Sequence, residues 1–266
     1  MNKTLFLTNL KAHKMLFVIM NLVLLMYSSI MIYMFDPETS NAIAEMMEML
    51  PKGFAVAFGF DDIAITLTSH IGSYLYGFIF IVFPMIFTVI AANSMVAKHV
   101  DRGSMAYLLA TPNSRKTIIW TQAISLITML TGLFVIQTIL GILMSEMMFS
   151  GLLEVGPYIK INLITLLVFG VVSGIGFLGS CIFNESSRSL SMGISFPVAF
   201  LLLKMLSGAS SDLSFLKYFT PYTLIDINKI MNTGNYTLWT SVALIIASFL
   251  IYFSAVTIFD KRSLNL

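Results

Sequence analysis

The groups able to do acid–base or metal chemistry in this 266-residue chain are few and scattered. His13, His70 and His99 share no motif, and no His-Glu-x-x-His pair occurs. No carboxylate falls well inside an apolar run, where an intramembrane protease or a proton relay would need one. Cys181 is the single cysteine, which excludes an intrachain disulfide and a cysteine-ligated metal cluster; inert packing is expected of it. Lys204 comes nearest to an intramembrane charge, but it sits near the end of its apolar run, where an ammonium can snorkel to water. There is no Gly-x-x-x-x-Gly-Lys-Ser/Thr phosphate loop. We therefore expect no catalytic residue, metal ligand or cofactor of the chain's own. Work done on a substrate would draw its energy from a partner or an ion gradient.

What remains is contact chemistry, concentrated in the polar residues 98–116. Asp101-Arg102-Gly103-Ser104 is followed by Met105, Tyr107, Leu108 and Leu109, and then by Thr111-Pro112-Asn113-Ser114-Arg115. A short helix here would offer Met105, Tyr107, Leu108 and Leu109 as an apolar knob, with Asp101, Arg102 and Arg115 as orienting charges around it. The alternative is an exposed turn whose charges only enforce topology.

The elements that must hold this segment are membrane helices. Hydrophobic residues make up 58% of the chain, charged residues 11%, and the mean hydropathy is +0.90, far from the soluble globular range. A helix needs about 20 apolar residues to cross a bilayer. Runs at 15–35, 71–97, 118–143, 161–183, 190–207 and 238–259 qualify, and none alternates at period two as a barrel strand would. The expected fold is all-α, a single polytopic domain over residues 1–266 with six transmembrane helices. The first run is expected to be retained as a helix, because its core continues to Phe35 and Asp36-Pro37 stands where a small-residue cleavage site would be needed.

Charge placement orients the chain, since lysine and arginine are kept on the cytoplasmic side of short loops. With the N-terminus inside, that face holds Lys3, Lys11, Lys14, Lys98, Arg102, Arg115, Lys116, Arg188, Lys261 and Arg262 against Asp101, Glu185 and Asp260. The outer face carries Asp36, Glu38, Glu45, Glu48, Asp61, Asp62, Glu146 and Glu154, with Lys52, Lys160, Lys204, Lys217 and Lys229. Both termini are thus expected to be cytoplasmic. The net charge of +2 conceals the asymmetry, and no basic cluster is large enough for nucleic acid.

Several segments carry further expectations. Ser40 can cap a short amphipathic helix in the first outer loop, with Ile43, Met46, Met47 and Leu50 on one face and Pro51 ending it; a packing lid and a substrate-handling element are both open readings. Residues 2–14 could form an inner-surface helix, interrupted on its apolar side by Asn9 and His13. Pro84 and Pro197 each fall within a span and are expected to kink or loosen it, either as a gate or as a static bend. Gly170, Gly174, Gly176 and Gly179, with Ser173 and Ser180, form a small-residue surface for close helix approach, within the chain or to a second copy. Residues 207–238 are too polar to cross; they suit short helices dipping part-way into the membrane, or an ordinary outer loop.

The residues 101–115 resemble the acidic-x-Gly-Thr…Leu-Leu-x-x-Pro-x-x-Arg signature of bacterial ABC-2 type permeases, the membrane subunits of ABC exporters, with Asp101 and Ser104 in place of the usual glutamate and threonine. Met49-Leu50-Pro51-Lys52-Gly53 followed by Ala57-Phe58-Gly59-Phe60, then Phe219-Thr220-Pro221-Tyr222, and the ending Phe259-Asp260-Lys261-Arg262-Ser263-Leu264 resemble the same family in the same order. The resemblance implies a half-transporter in the bacterial plasma membrane. Two permease subunits, identical or paralogous, would pair and dock cytoplasmic ATPase subunits that bind ATP and Mg. It also implies that residues 98–116 form a cytoplasmic coupling loop, with docking residues Asp101, Arg102, Gly103, Ser104, Met105, Tyr107, Leu108, Leu109 and Arg115. The second and fifth helices would border the pathway, which makes Tyr74, Phe78, Pro84, Phe87, Met192, Phe196, Pro197 and Phe200 candidates for pathway and gate, with Tyr76, Phe83 and Met85 beside them. Such aromatic and methionine-rich surfaces suit a hydrophobic or amphipathic drug, peptide or lipid. The competing classes are a non-transporting membrane scaffold or sensor, and an ion-coupled carrier, which would want ionisable groups at mid-depth.

Overall fold

In lipid every backbone polar group needs an internal partner, so a chain of this composition folds as helices. The computed structural model describes residues 1–36, 66–209 and 211–263. The helix expected after Ser40 and the motifs at 49–53 and 57–60 lie outside the described residues. Helix α1 (Lys3–Tyr33) is followed by a second span, Leu67–Asp101. That span is built from α2 (Leu67–Tyr74), a π-helical segment (Leu75–Ile79), α3 (Phe80–Met95) and α4 (Ala97–Asp101). Then come α5 (Met105–Leu109), α6 (Arg115–Met148), α7 (Val155–Ile182) and α8 (Ser186–Ala209). Two 3-10 segments (Ser211–Phe219 and Pro221–Leu224) and α9 (Ile227–Asn232) lead into α10 (Gly234–Lys261). Six spans are long and apolar enough to cross a membrane among the described residues, whose regular structure is all helical, and the chain is a multi-pass membrane protein.

The helices outrun the apolar segments that announce them. Polar residues cap their ends: Asn2 accepts from the Leu5 amide, Ser114 from Thr117, and Thr66 and Ser69 form a reciprocal capping box. Residues 2–14 do not form a separate surface helix. They are the first turns of α1, and Asn9 and His13 are buried, not solvent-facing. Asn9 Nδ2 donates to Gln122 Oε1 at 2.6 Å and to Ser125 Oγ at 3.0 Å, and Gln137 Nε2 donates to Asn21 O at 3.0 Å. These bonds fasten α1 to α6, where apolar contact alone gives little preference over lipid.

Helix α7 lies at the centre, against α3, α6, α8 and α10. Its small residues face neighbours within the chain: a Cβ on Gly170 would meet Ser248 Oγ at 2.8 Å, one on Gly174 would meet Ile251 at 3.0 Å, and Gly179 faces Met192. Ser173 Oγ bonds Tyr252 OH at 2.8 Å and Ser180 Oγ bonds Ser189 Oγ at 2.9 Å. The small-residue surface is thus filled inside the subunit. A second core feature is a run of rings, Tyr76–Phe80–Phe134–Phe169–Tyr222, with successive centroids 4.5, 6.1, 6.0 and 6.0 Å apart. Tyr76 OH also donates to Asn162 Oδ1 at 2.7 Å.

The segment after α8 folds back onto the helix ends. Thr220 caps the second 3-10 turn, Pro221 occupies its first position, and Tyr222 is fully buried against Phe169. Burial raises the Tyr222 phenol well above its ordinary value.

Candidate functional site

The polar residues 98–116 fold as a compact corner between α3 and α6. The chain leaves α3 through Val96, whose φ of −124° and ψ of −69° break the helical path, and re-forms a helical turn in α4. Gly103 then takes φ +70°, a left-handed conformation in which a Cβ would be strained. That turn sends α5 back toward the bundle. Ser104 stabilises it by donating to His99 O at 3.3 Å and bonding His99 Nδ1 at 2.9 Å.

The turn sorts the candidate docking residues into anchors and a presented face. Ala97, Val100 and Met105 are buried, and Leu108 and Leu109 are half-buried against the core. Met105 is therefore an anchor and not part of an exposed apolar knob; a five-residue helix one side of which must cover the bundle end cannot present all four apolar side chains. Tyr107 is the one that projects, at 81% exposure. Asp101 and Arg102 are exposed beside Gly103, and Thr111, Pro112 and Ser114 continue the face.

Arg115 does not stand among the presented charges. Its Nη1 donates to Arg262 O at 3.0 Å, and Lys116 Nζ lies 3.5 Å from Asp260 Oδ2. Arg262 in turn donates to Cys181 O, to Phe183 O at 3.0 Å and to Asn184 Oδ1. Partial burial lowers the Arg262 guanidinium from its ordinary value, yet it remains cationic. The base of the corner is thereby bonded to the end of α10, and through it to the α7–α8 connection. Asn2 N donates to Thr121 Oγ1 at 3.0 Å, so α1 begins at the same end of the bundle. None of these bonds carries a local sequence signal.

The candidate pathway residues part company in the same way. In the second span Tyr76, Pro84, Met85 and Phe87 are buried; Phe87 packs edge-on to Phe17 at 6.3 Å, while Phe83 lies 5.5 Å from Tyr27. Tyr74, close to His70, and Phe78 are half-buried. Tyr76, Met85 and Phe87 thus serve the subunit's own core instead of forming an aromatic outer surface, because this span lies among α1, α7 and α8 and has little free face. The fifth span differs. Phe196 is exposed next to half-buried Phe200, Met192 covers Gly179, and Pro197 is buried. The structure does not gather the eight residues into one lining.

Both prolines lie inside helices. Ahead of Pro84 the second span changes winding over Leu75–Ile79, and beyond it Thr88 Oγ1 donates to Pro84 O at 2.9 Å. A π turn combined with a missing amide donor makes this the least regular stretch of any span among the described residues.

Lys204 is not simply drawn out to water. Its Nζ donates to Gly77 O, in the π-helical segment, at 3.1 Å. Among the described residues no three His, Cys, Asp or Glu side chains gather as a metal site would require.

What the corner can do is bind. It offers an exposed aromatic, Tyr107, on a buried anchor, together with the exposed Asp101 and Arg102, on a bundle end that also carries both termini. No curated protein matches the chain. A family model described as ABC-2 family transporter protein matches residues 6–264. With six spans and a match that runs nearly from end to end, the chain belongs to the ABC-2 family of transporter proteins.

Proposed function

We propose that this chain is the permease subunit of an ATP-binding-cassette exporter in a bacterial plasma membrane, paired with a second permease subunit and driven by separate cytoplasmic ATPase subunits. The observation that carries the reading is the corner at 97–114. Val100 and Met105 lock it to the bundle, while Asp101, Arg102 and Tyr107 project. A contact meant to transmit motion has to be held on its inner side and distinctive on its outer side, and the buried anchors and exposed charged, aromatic face of this corner support that role. Charge placement supports a cytoplasmic position for that end. The chain has no phosphate loop of its own, so ATP and Mg belong to the partner.

In this mechanism closure of the ATPase pair displaces the corner, and the spans joined to it rearrange toward an outward-open state. The partner must hold the corner differently in its two states, since equal binding to both would shift nothing. Exposed Phe196, with half-buried Phe200 beside it on the fifth span, is the pathway candidate best placed to meet a second subunit or an amphipathic cargo. The cargo class we propose is a hydrophobic or amphipathic drug, peptide or lipid.

The test is co-purification with the cognate ATPase, together with ATP turnover in membranes, comparing wild type with an Arg102→Glu, Tyr107→Asp variant. Both replaced side chains are exposed, so the variant should fold; association and stimulated turnover should both fall. Unchanged association and turnover would sink the docking assignment. Association without any transport-linked turnover in the wild type would favour a scaffold.

A further inference from the structure

Three contacts trace the seam between the second and fifth spans. At its inner end Asn93 Nδ2 donates to Ser186 Oγ at 2.8 Å, and midway a Cβ on Gly193 would meet Val89 Cγ1 at 3.2 Å. Toward the outer end Lys204 Nζ donates to Gly77 O at 3.1 Å. The third contact differs in kind, because a side-chain ammonium from one span holds a main-chain carbonyl of the other. In a regular α-helix each carbonyl is taken by the amide four residues on. Here the ladder has slipped: the Phe80 amide donates to Leu75 O, five residues back, and Phe80 itself has φ −74° and ψ 2°, away from helical values. Pro84 then lacks the amide that Phe80 O would receive. A turn closed five residues back holds one residue more than an α-helical turn.

Lys204 is placed by its own helix. It follows Pro197 by seven residues, two turns along one face, and Pro197 and Leu201 on that face are buried. One bond thus joins the proline-bearing stretch of the fifth span to the π-helical stretch of the second. Beside it lies a cavity of about 380 Å³ lined by Gly77, Lys204, Ser207 and Asn228 among others, so the ammonium has room to leave the carbonyl.

Were residues 75–79 to wind as α-helix, α2 would turn by about 100° and shift by about 1.5 Å against α3. That turn would carry Tyr76 away from Asn162 and Gly72 away from Ile227. We infer that the π-helical segment is a hinge in the second span and that Lys204 is its latch. The bond to Gly77 O holds the extra residue in place. Its release lets the outer parts of the two spans separate while Asn93 and Ser186 keep their inner parts together. Lys204 is a positioning residue that acts through the main chain of Gly77. The use of this hinge in outward opening rests on the export reading, but the latch is a property of the chain alone and its test involves no ATPase, so either can fail without the other.

The purified full chain in lipid nanodiscs is followed by amide hydrogen exchange read by mass spectrometry, comparing residues 72–84 with residues 161–172 of α7. Lys204→Met should speed exchange over 72–84 by about tenfold or more, the scale of one charge-assisted hydrogen bond, and leave 161–172 unaltered. Lys204→Arg, which keeps a cationic donor, should restore most of the protection. Deletion of Gly77 removes both the acceptor and the extra residue; that variant should fold with a regular second span, and adding Lys204→Met to it should change exchange over 72–84 little. Four results would overturn the latch. Exchange over 72–84 could be indifferent to Lys204→Met, or 161–172 could speed up equally, which would mean general loosening. The effect of Lys204→Met could persist undiminished without Gly77, which would assign it to another contact of the ammonium. A deletion variant unable to fold would show that the residue is not an excess the span can release.

Discussion

Met105 and Tyr107 sit two positions apart in one short helix and meet opposite demands. Replacing Met105 by Ala removes a wholly buried side chain and should cost about 2–5 kcal/mol if the cavity does not collapse; it would be read as a lower midpoint in detergent unfolding. Tyr107→Ala should leave that midpoint within about 0.5 kcal/mol of wild type while lowering ATPase stimulation. Gly103→Ala belongs with Met105, because its φ of +70° costs an L-residue about 1–2 kcal/mol. The sequence grouped Met105, Tyr107, Leu108 and Leu109 as one apolar knob. Periodicity over five residues cannot say which side of a helix meets the bundle, and only the path set by Gly103 decides it. Phe87 and Tyr76 were misread for a related reason, since an aromatic on a membrane span looks the same whether its neighbour is lipid or protein.

At the scale of helices, close approach is what the packing of α7 requires. The hydroxyl of Tyr158 lies 2.1 Å from where a Cβ on Gly141 would stand. Gly141→Ala should therefore displace Tyr158 and strain its contact with Tyr76, at a cost of about 1–3 kcal/mol. The paired variant Gly141→Ala, Tyr158→Phe should recover much of the loss, as measured by unfolding in the same detergent. The six helices were legible because about 20 consecutive apolar residues have few alternatives. Their lengths were not: the run at 118–143 became Arg115–Met148 and the run at 15–35 became Lys3–Tyr33. Hydropathy reports the part that needs lipid, whereas caps such as Ser114 and Asn2 determine where winding starts. The polar grip of α1 on α6, through Asn9 and Gln122, could not be read from either helix alone.

For the whole molecule, the bonds made by Arg262 bring the end of α10, the α7–α8 connection and the start of α6 to one place. Cys181 is fully buried and lends its carbonyl to Arg262. In the folded chain it should resist a membrane-permeant maleimide. Arg262→Ala should make the thiol labelled measurably faster, by mass spectrometry, if this junction is what keeps that end of the bundle shut; equal rates in the two proteins would assign the protection to α7 packing alone. The terminal motif was visible in the sequence as a resemblance, but its partners lie 78 to 147 positions away, where no local pattern can point.

The bond from Arg115 to Arg262 and the ion pair from Lys116 to Asp260 also change the mechanics of the corner. A loop hinged between two helices would hand a push to one or the other. This one is strutted: the corner is bonded to α6 and α10 as well as continuous with α3, and α10 packs on α7 along the seam at Gly170 and Gly174. Under the proposed docking, a stroke at the corner would reach the central helix together with its neighbours, and the bundle would turn as a block before any single span bent.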